Sequence, residues 1–214
     1  RSHRGQEPLR FVFITACVGE DFFKPVKKGM RDAAALMGVE CSFIGTKEVN
    51  TKVQTGMVRK AVADGFDGIA LNIIDPLAFD EVIRETIDRG VPVVAFNVDD
   101  NKTPNARLSA VCQNFYEAGK AFAEQAAQFI PDKSAVLMTV HSEGISALED
   151  RLRGAQDILK KKGIRWEIVI TGMTPDGAAQ IIAANRNGFI VSGRSPGIVS
   201  LTAEGAGPAV EKDF

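Results

Sequence analysis

Short clusters of hydrogen-bonding residues, each following an apolar run, are where this sequence could do chemistry. In the first half they are Gly19, Glu20, Asp21 and Phe22, then Asn72 and Asp75, then Asn97, Asp99, Asp100 and Asn101. In the second half they are His141, Ser142 and Glu143, then Thr174 and Asp176, then Ser192, Arg194 and Ser195. Amides, carboxylates, hydroxyls and a guanidinium, with an aromatic ring at one edge, suit a neutral polyhydroxy ligand. Every hydroxyl of such a ligand donates and accepts, and the ring covers its C–H face. Asp, Asn and Ser also serve as ordinary turn and cap residues. Both roles stay open for each of them on sequence grounds.

Catalytic patterns are sparse. The two histidines are His3 and His141, which speaks against a His-based metal site. His141 and Ser142 are sequence neighbours, and a nucleophile and its base must meet through side-chain geometry that adjacency is not expected to provide. Neither a Walker A motif nor GxGxxG occurs, and Gly205-Ala206-Gly207 follows no clear strand. The spacing Asn97-Val98-Asp99-Asp100 is not that of a calcium loop. No catalytic residue, metal or cofactor is expected.

Composition narrows the partners. A net charge of −1, from 26 Lys+Arg against 27 Asp+Glu, offers no electrostatic footing for nucleic acid or an anionic membrane. No apolar stretch is long enough to span a bilayer, and the opening RSHRGQEP lacks the apolar segment of a signal peptide, so an exported protein would be in its mature form here. Cys17, Cys41 and Cys112 fall on apolar strands and are expected as buried free thiols. With 214 residues, 45% of them hydrophobic, the chain can form one large or two small domains.

The elements that must position these clusters alternate. Phe11 to Cys17 reads as a strand buried on both faces. A helix follows from Phe22, capped by Asp21, with Pro25 in its first turn and a stripe of Phe23, Val26, Met30, Ala33, Ala34 and Met37. Phe22 lies off that stripe, either as core or as a ring at the ligand-binding edge of the sheet. Strands at 39–44, 66–73 and 91–97 alternate with helices at 53–63 and 76–89, which implies a parallel, doubly wound sheet. A strand at 107–112 precedes a helix capped by Asn114 with the stripe Phe115, Ala118, Phe122, Ala126 and Phe129. Next come a strand at 135–140, a helix lined by Ile145, Leu148, Leu152, Ala155 and Leu159, and strands at 166–170 and 188–191 around a helix at 176–184.

The halves repeat. Gly29 and Gly154 each sit inside the first helix of their half, and Gly38 and Gly163 end those helices at the same spacing. Gly65-Phe66 and Gly188-Phe189, each expected to open a strand, stand at nearly that spacing. The fold class is therefore α/β, with two doubly wound parallel-sheet lobes: a tail over 1–8, a first lobe over 9–106 and a second over 107–214. The same offset carries the strand after Arg89 past Phe214, so the second lobe is expected to be incomplete.

The segments GEDFF, ADGFDGIALNIIDP, GVPVVAFNVDD and SALEDRLRGAQDILKK resemble the ribose and galactose type of periplasmic sugar-binding protein that serves bacterial ABC importers. The resemblance runs from about Leu9 to the end and implies the periplasmic binding protein type I fold, with the final third of the family's chain not represented. It implies a non-enzymatic protein of the periplasm or cell exterior, with or without a lipid anchor, that closes two lobes about a hinge on one sugar or polyol and is read by a membrane permease. The lobe crossover would fall near 106–113. Glu20, Phe22 and Phe23 occupy the family's first ligand turn, which more often carries Asn than Glu. Asn97 stands where an Asp commonly grips sugar hydroxyls, Val98 where ribose binders place an Arg, and Glu149 where another Arg is usual. Arg151 matches a second Arg of that helix. These departures point away from ribose and towards a donor-rich ligand such as a linear polyol or a modified sugar. The same fold serves LacI-type regulators and chemoreceptor partners as a sugar-sensing lobe. A flavodoxin-like enzyme is a third reading.

Overall fold

The computed structural model describes residues 7–19, 21–75, 77–99, 103, 105–131, 134–191 and 196–200, with backbone alone beyond 185. The chain divides into two compact units, Arg1–Cys112 and Gln113–Phe214.

Unit 1 is built on β1 (Arg10–Thr15), which pairs in parallel with β2 (Glu40–Gly45) on one side and β3 (Gly68–Leu71) on the other. β4 (Val93–Asn97) and β5 (Ser109–Cys112) extend the sheet to the order β2-β1-β3-β4-β5. Because β5 pairs with β4, residues 107–112 belong with the first unit and the boundary follows Cys112 rather than Ala106. Val12, Ile14, Leu71, Val93 and Ala95 are buried from water, as central strands covered on both faces require.

The helices of this unit are α1 (Lys24–Met37), α2 (Thr51–Ala63) and α3 (Asp80–Asp88). Asn50 caps α2, its side chain accepting from the Val53 N–H at 3.0 Å. Asp21 does not cap α1. A 3-10 turn over Asp21–Phe23 intervenes, and the Asp21 carboxylate pairs instead with Lys24 at 2.8 Å. Gly38, at φ 66°, ends α1 in the left-handed conformation that glycine adopts without strain. Only the first part of the expected α1 stripe is inward. Ala33, Leu36 and Met37 are exposed, because α1 lies over the edge strand β2 and its last turn has little to cover.

Unit 2 contains α4 (Phe115–Ala126), β6 (Ala135–Val140), α5 (Ser146–Lys161), β7 (Arg165–Ile170), α6 (Pro175–Val191) and β8 (Pro196–Ser200). Its strands are parallel in the order β7-β6-β8. β6 is buried along its whole length, and with α5 and α4 it encloses a core of Val136, Met138, Ala155, Ile158 and Leu159.

Two expectations about the helices are corrected here. The residues Gly188–Val191 continue α6, and the strand lies at Pro196–Ser200. A short apolar run has the same pattern at a helix end as in a strand, and the unbroken helix decides. The third glycine correspondence therefore falls. The first two stand, with Gly38 and Gly163 both at φ 66°, and in each unit the first strand is flanked by the second and third.

The other correction concerns α4. Its buried face is Gly119, Ala123 and the following Ala127, whereas Phe122 is exposed and Phe129 is 86% exposed beyond the helix end. Small residues let α4 and α5 meet backbone to backbone, so the small face rather than the aromatic one turns inward. Cys112 is exposed on edge strand β5, not buried, while Cys17 and Cys41 are partly buried, and none of the three is joined in a disulfide.

Candidate functional site

In unit 1 the loops after β1, β3 and β4 leave the same edge of the sheet, since the strands are parallel. An aromatic stack underlies that edge. Phe22 meets Phe23 edge to face at 5.1 Å, Phe23 meets Phe43 at 5.6 Å, and Phe43 and Phe13 both meet Phe96, at 6.1 and 5.3 Å. Phe23 is 4% exposed and Phe22 is 59% exposed. The buried rings thus hold one phenylalanine out to solvent, so Phe22 is not core. Phe23 supports it from below. Lys27 donates to the Val18 carbonyl at 2.9 Å and lies 5.1 Å over the Phe43 ring, tying the β1 loop to α1.

Among the described residues, the only positive φ values outside glycine are at Cys17 (54°) and Asn97 (62°), which follow or end β1 and β4 at this edge. Left-handed backbone at a non-glycine residue is held only where surrounding structure insists on it, and it concentrates at functional edges. At Asn97 the restraint is visible. The Val98 N–H donates to the Phe96 carbonyl at 2.7 Å, closing a three-residue turn about it.

Other polar residues of this edge are engaged locally. Asp75 accepts from the Leu77 and Ala78 N–H groups at 2.9 Å, as a turn residue does. Asp99 lies against Arg107. Its Oδ2 accepts from Nη2 at 2.6 Å, and Oδ1 and Nε approach to 2.5 Å as an ionic contact outside hydrogen-bond alignment. Glu20, Asp100 and Asn101 lie outside the described residues.

In unit 2, His141, Ser142 and Glu143 follow β6. The His141 Nδ1 and Ser142 Oγ are 2.8 Å apart, so the neighbours do meet, contrary to expectation. A groove of about 520 Å³ opens beside them, with Val140, Leu148, Leu152 and Ile168 among its apolar lining and Glu143 and Glu149 among its polar lining. Arg151 turns towards the start of α4, where it lies 4.9 Å over the Phe115 ring and donates to Gln113 Oε1 at 3.3 Å. Burial pushes its pKa below the ordinary guanidinium value, without threatening a charge that arginine keeps in proteins.

Asp176 is exposed in the first turn of α6, where the Thr174 hydroxyl accepts from the Gly177 N–H at 3.3 Å. Ser192 and Arg194 lie outside the described residues. The structure thus gathers Phe22, Asn97 and Asp99 at one edge of unit 1, and in unit 2 it places Glu149 in the lining of a groove with Ser142 and Glu143, while His141 is not among the residues that line it. Among the described residues no helix is long and apolar enough to cross a membrane.

Beneath the unit 1 edge lies a polar layer of which residue type marked only Asn72 in the sequence. Gln54, Asn72, Thr15 and Thr46 are buried polar residues there. The signal was present, since Gln54 occupies an inward position of α2 with Val58 and Ala61. A glutamine in an apolar stripe is unusual enough to ask what it holds.

Residues 11–212 match the family described as periplasmic binding protein domain. A curated relative, the xylose/arabinose-binding protein XylF of Sulfolobus acidocaldarius, is 26% identical over 159 residues. The match takes in 71% of this chain and 40% of that protein, so the chain spans about two-fifths of its length. Among solved structures, a glucose-galactose binding protein from Geobacillus stearothermophilus superposes with a TM-score of 0.81 at 25% identity, covering 96% of this chain and 72% of that one. A periplasmic sugar-binding protein of an ABC sugar transporter from Legionella pneumophila gives 0.84 at 22% identity, covering 94% and 74%.

Proposed function

The chain belongs to the periplasmic binding protein domain family, and from that premise we propose that it acts as a solute-binding protein of an ABC importer, taking a monosaccharide or polyol. The observation that carries this reading is the exposed Phe22 on its buried aromatic stack. That stack runs through Phe96 to the neighbouring Asn97, so apolar and amide groups share one edge. The Phe22 ring takes the C–H face of the ligand, and Asn97 both donates to and accepts from its hydroxyls. Glu20 and Asp99 complete the first set, with Phe23 as its support. His141, Glu149, Arg151, Asp176, Ser192 and Arg194 form the second.

Contacts from both sets favour a closed arrangement about a hinge. The ligand shifts that equilibrium only by the difference in its affinity for the two states. A membrane permease reads the closed form, and the protein works outside the cytoplasmic membrane. Its chemistry is binding without turnover.

A thermal-shift screen over D-xylose, L-arabinose, D-ribose, D-galactose, xylitol, sorbitol and nucleosides tests this. One class is expected to stabilise the protein by about 2.7 kcal/mol at a hundredfold excess over Kd. Phe22→Ala is expected to weaken that binding about tenfold, roughly 1.4 kcal/mol, with the melting temperature of the free protein little changed. Asn97→Gly keeps the left-handed turn and removes only the side chain, and is expected to weaken binding comparably. A protein indifferent to every sugar and polyol, yet turning over an ester or phosphate, would refute the proposal.

A further inference from the structure

Gln54 stands in the first turns of α2, outside the loops after β1, β3 and β4, and it is fully buried. Its Nε2 donates to the Asn72 carbonyl at 2.9 Å. The next N–H along, that of Ile73, donates to the Val98 carbonyl at 3.0 Å. One peptide unit, Asn72–Ile73, is therefore gripped on both sides, by α2 through its oxygen and by the β4 loop through its nitrogen. Asn72 is itself bound to β1, its N–H donating to the Ile14 carbonyl at 2.9 Å and its Nδ2 to Thr15 Oγ1 at 2.8 Å.

Val98, the acceptor on the far side, closes the left-handed turn about Asn97. Loss of the Gln54 donor would leave the Asn72 carbonyl unpaired in a buried place. The peptide plane would rotate to recover a partner, and rotation swings the Ile73 N–H off Val98. Gln54 Oε1 and Asn72 Oδ1 find no protein partner among the described residues, so the Gln54 side chain is held through the one hydrogen bond that its amide donates to the Asn72 carbonyl. A buried amide with that single task fixes the peptide it grips.

We infer that Gln54 is a positioning residue for the unit 1 edge, acting through the Asn72–Ile73 peptide on the turn that presents Asn97. The inference rests on reading that edge as the sugar-binding one. Its test therefore includes a measurement without any sugar: amide hydrogen exchange of the full chain, wild type against Gln54→Met and Gln54→Asn. The first removes the amide, and the second withdraws it by one methylene. Val58→Ala, a cavity at a fully buried position one turn further along the same helix, serves as the comparator for general destabilisation.

The wild-type amides of Ile73 and Val98 are expected to exchange as slowly as those of β1. In both Gln54 variants they should exchange at least tenfold faster, with β1 unchanged, and Val58→Ala should not single them out. Affinity for whichever of D-xylose, L-arabinose, D-ribose or D-galactose binds the wild type should fall about tenfold in the Gln54 variants. Fast exchange at these two amides in the wild type, or unaltered exchange and affinity in the variants, would overturn the inference. Selective exchange without any sugar binding by the wild type would keep the restraint and defeat the sugar reading instead.

Discussion

Gly154→Ala should lower the melting temperature of unit 2 far more than a single methyl group ordinarily does. A Cβ at Gly154 would lie 2.0 Å from the Tyr116 carbonyl oxygen and 3.0 Å from the Lys120 nitrogen. Backbone atoms on a neighbouring helix cannot swing aside as a side chain can, so α4 must move off α5 and give up the packing of Ala123 and Ala127 against the core. Overpacking costs typically about 1–3 kcal/mol, and a backbone-to-backbone clash belongs at the upper end. At roughly 4–8 °C per kcal/mol for a unit of this size, a loss of ten degrees or more is expected by calorimetry. Gly119→Ala meets the Arg151 carbonyl oxygen at the same 2.0 Å and should behave alike. Gly29, the matching glycine of α1, has nothing within 4 Å. There alanine should stabilise by about 0.5–1 kcal/mol through helix propensity. A Gly154→Ala protein that melts with the wild type would mean that the two helices do not meet in this way.

Arg107→Leu is the second substitution expected to act strongly. The Asp99 side chain is 5% exposed and that of Arg107 18%, so solvent screens the pair poorly. Arg107 also donates to Asn105 Oδ1 at 2.9 Å, which braces the approach to β5. Removing the guanidinium leaves a carboxylate in a buried place without compensation, a loss of about 3–5 kcal/mol, enough to depopulate a unit of ordinary marginal stability. Asp99→Asn combined with Arg107→Leu removes the charge together with its partner and should recover most of the loss. Urea denaturation of the wild type, both single variants and the double closes the cycle. A single Arg107→Leu variant within about 1 kcal/mol of wild type would show that the pair behaves as an exposed one.

Much of the architecture was legible along the chain. Apolar runs of strand length, three-to-four-residue stripes and glycine punctuation marked out every described strand except β8. The same signals implied two similar α/β lobes, each on a parallel sheet. The misreadings are local ambiguities that periodicity cannot resolve. In α4 the aromatic stripe and the small-residue stripe are offset by one position, and both have helical spacing. Gly188–Val191 is too short for its period to separate a helix end from a strand. At the edge of unit 1, residue type located Asn97, Asp99, Asn72 and Asp75 together. It could not tell that Asp99 is held by Arg107, Asp75 by its own turn and Asn72 by Thr15.

By itself the sequence determined most of what depends on neighbours a few positions away: the succession of strands and helices through β7, and which loops carry amides, carboxylates and rings. Tertiary structure decided what depends on residues far apart in the chain. Gly29 and Gly154 are equivalent in the repeat, yet one faces open space and the other the Tyr116 carbonyl. Phe22 and Phe23 are adjacent and alike, yet only Phe22 is held out to solvent. Propensity and period are properties of one segment, whereas close approach and charge pairing belong to two segments at once and exist only after they have met.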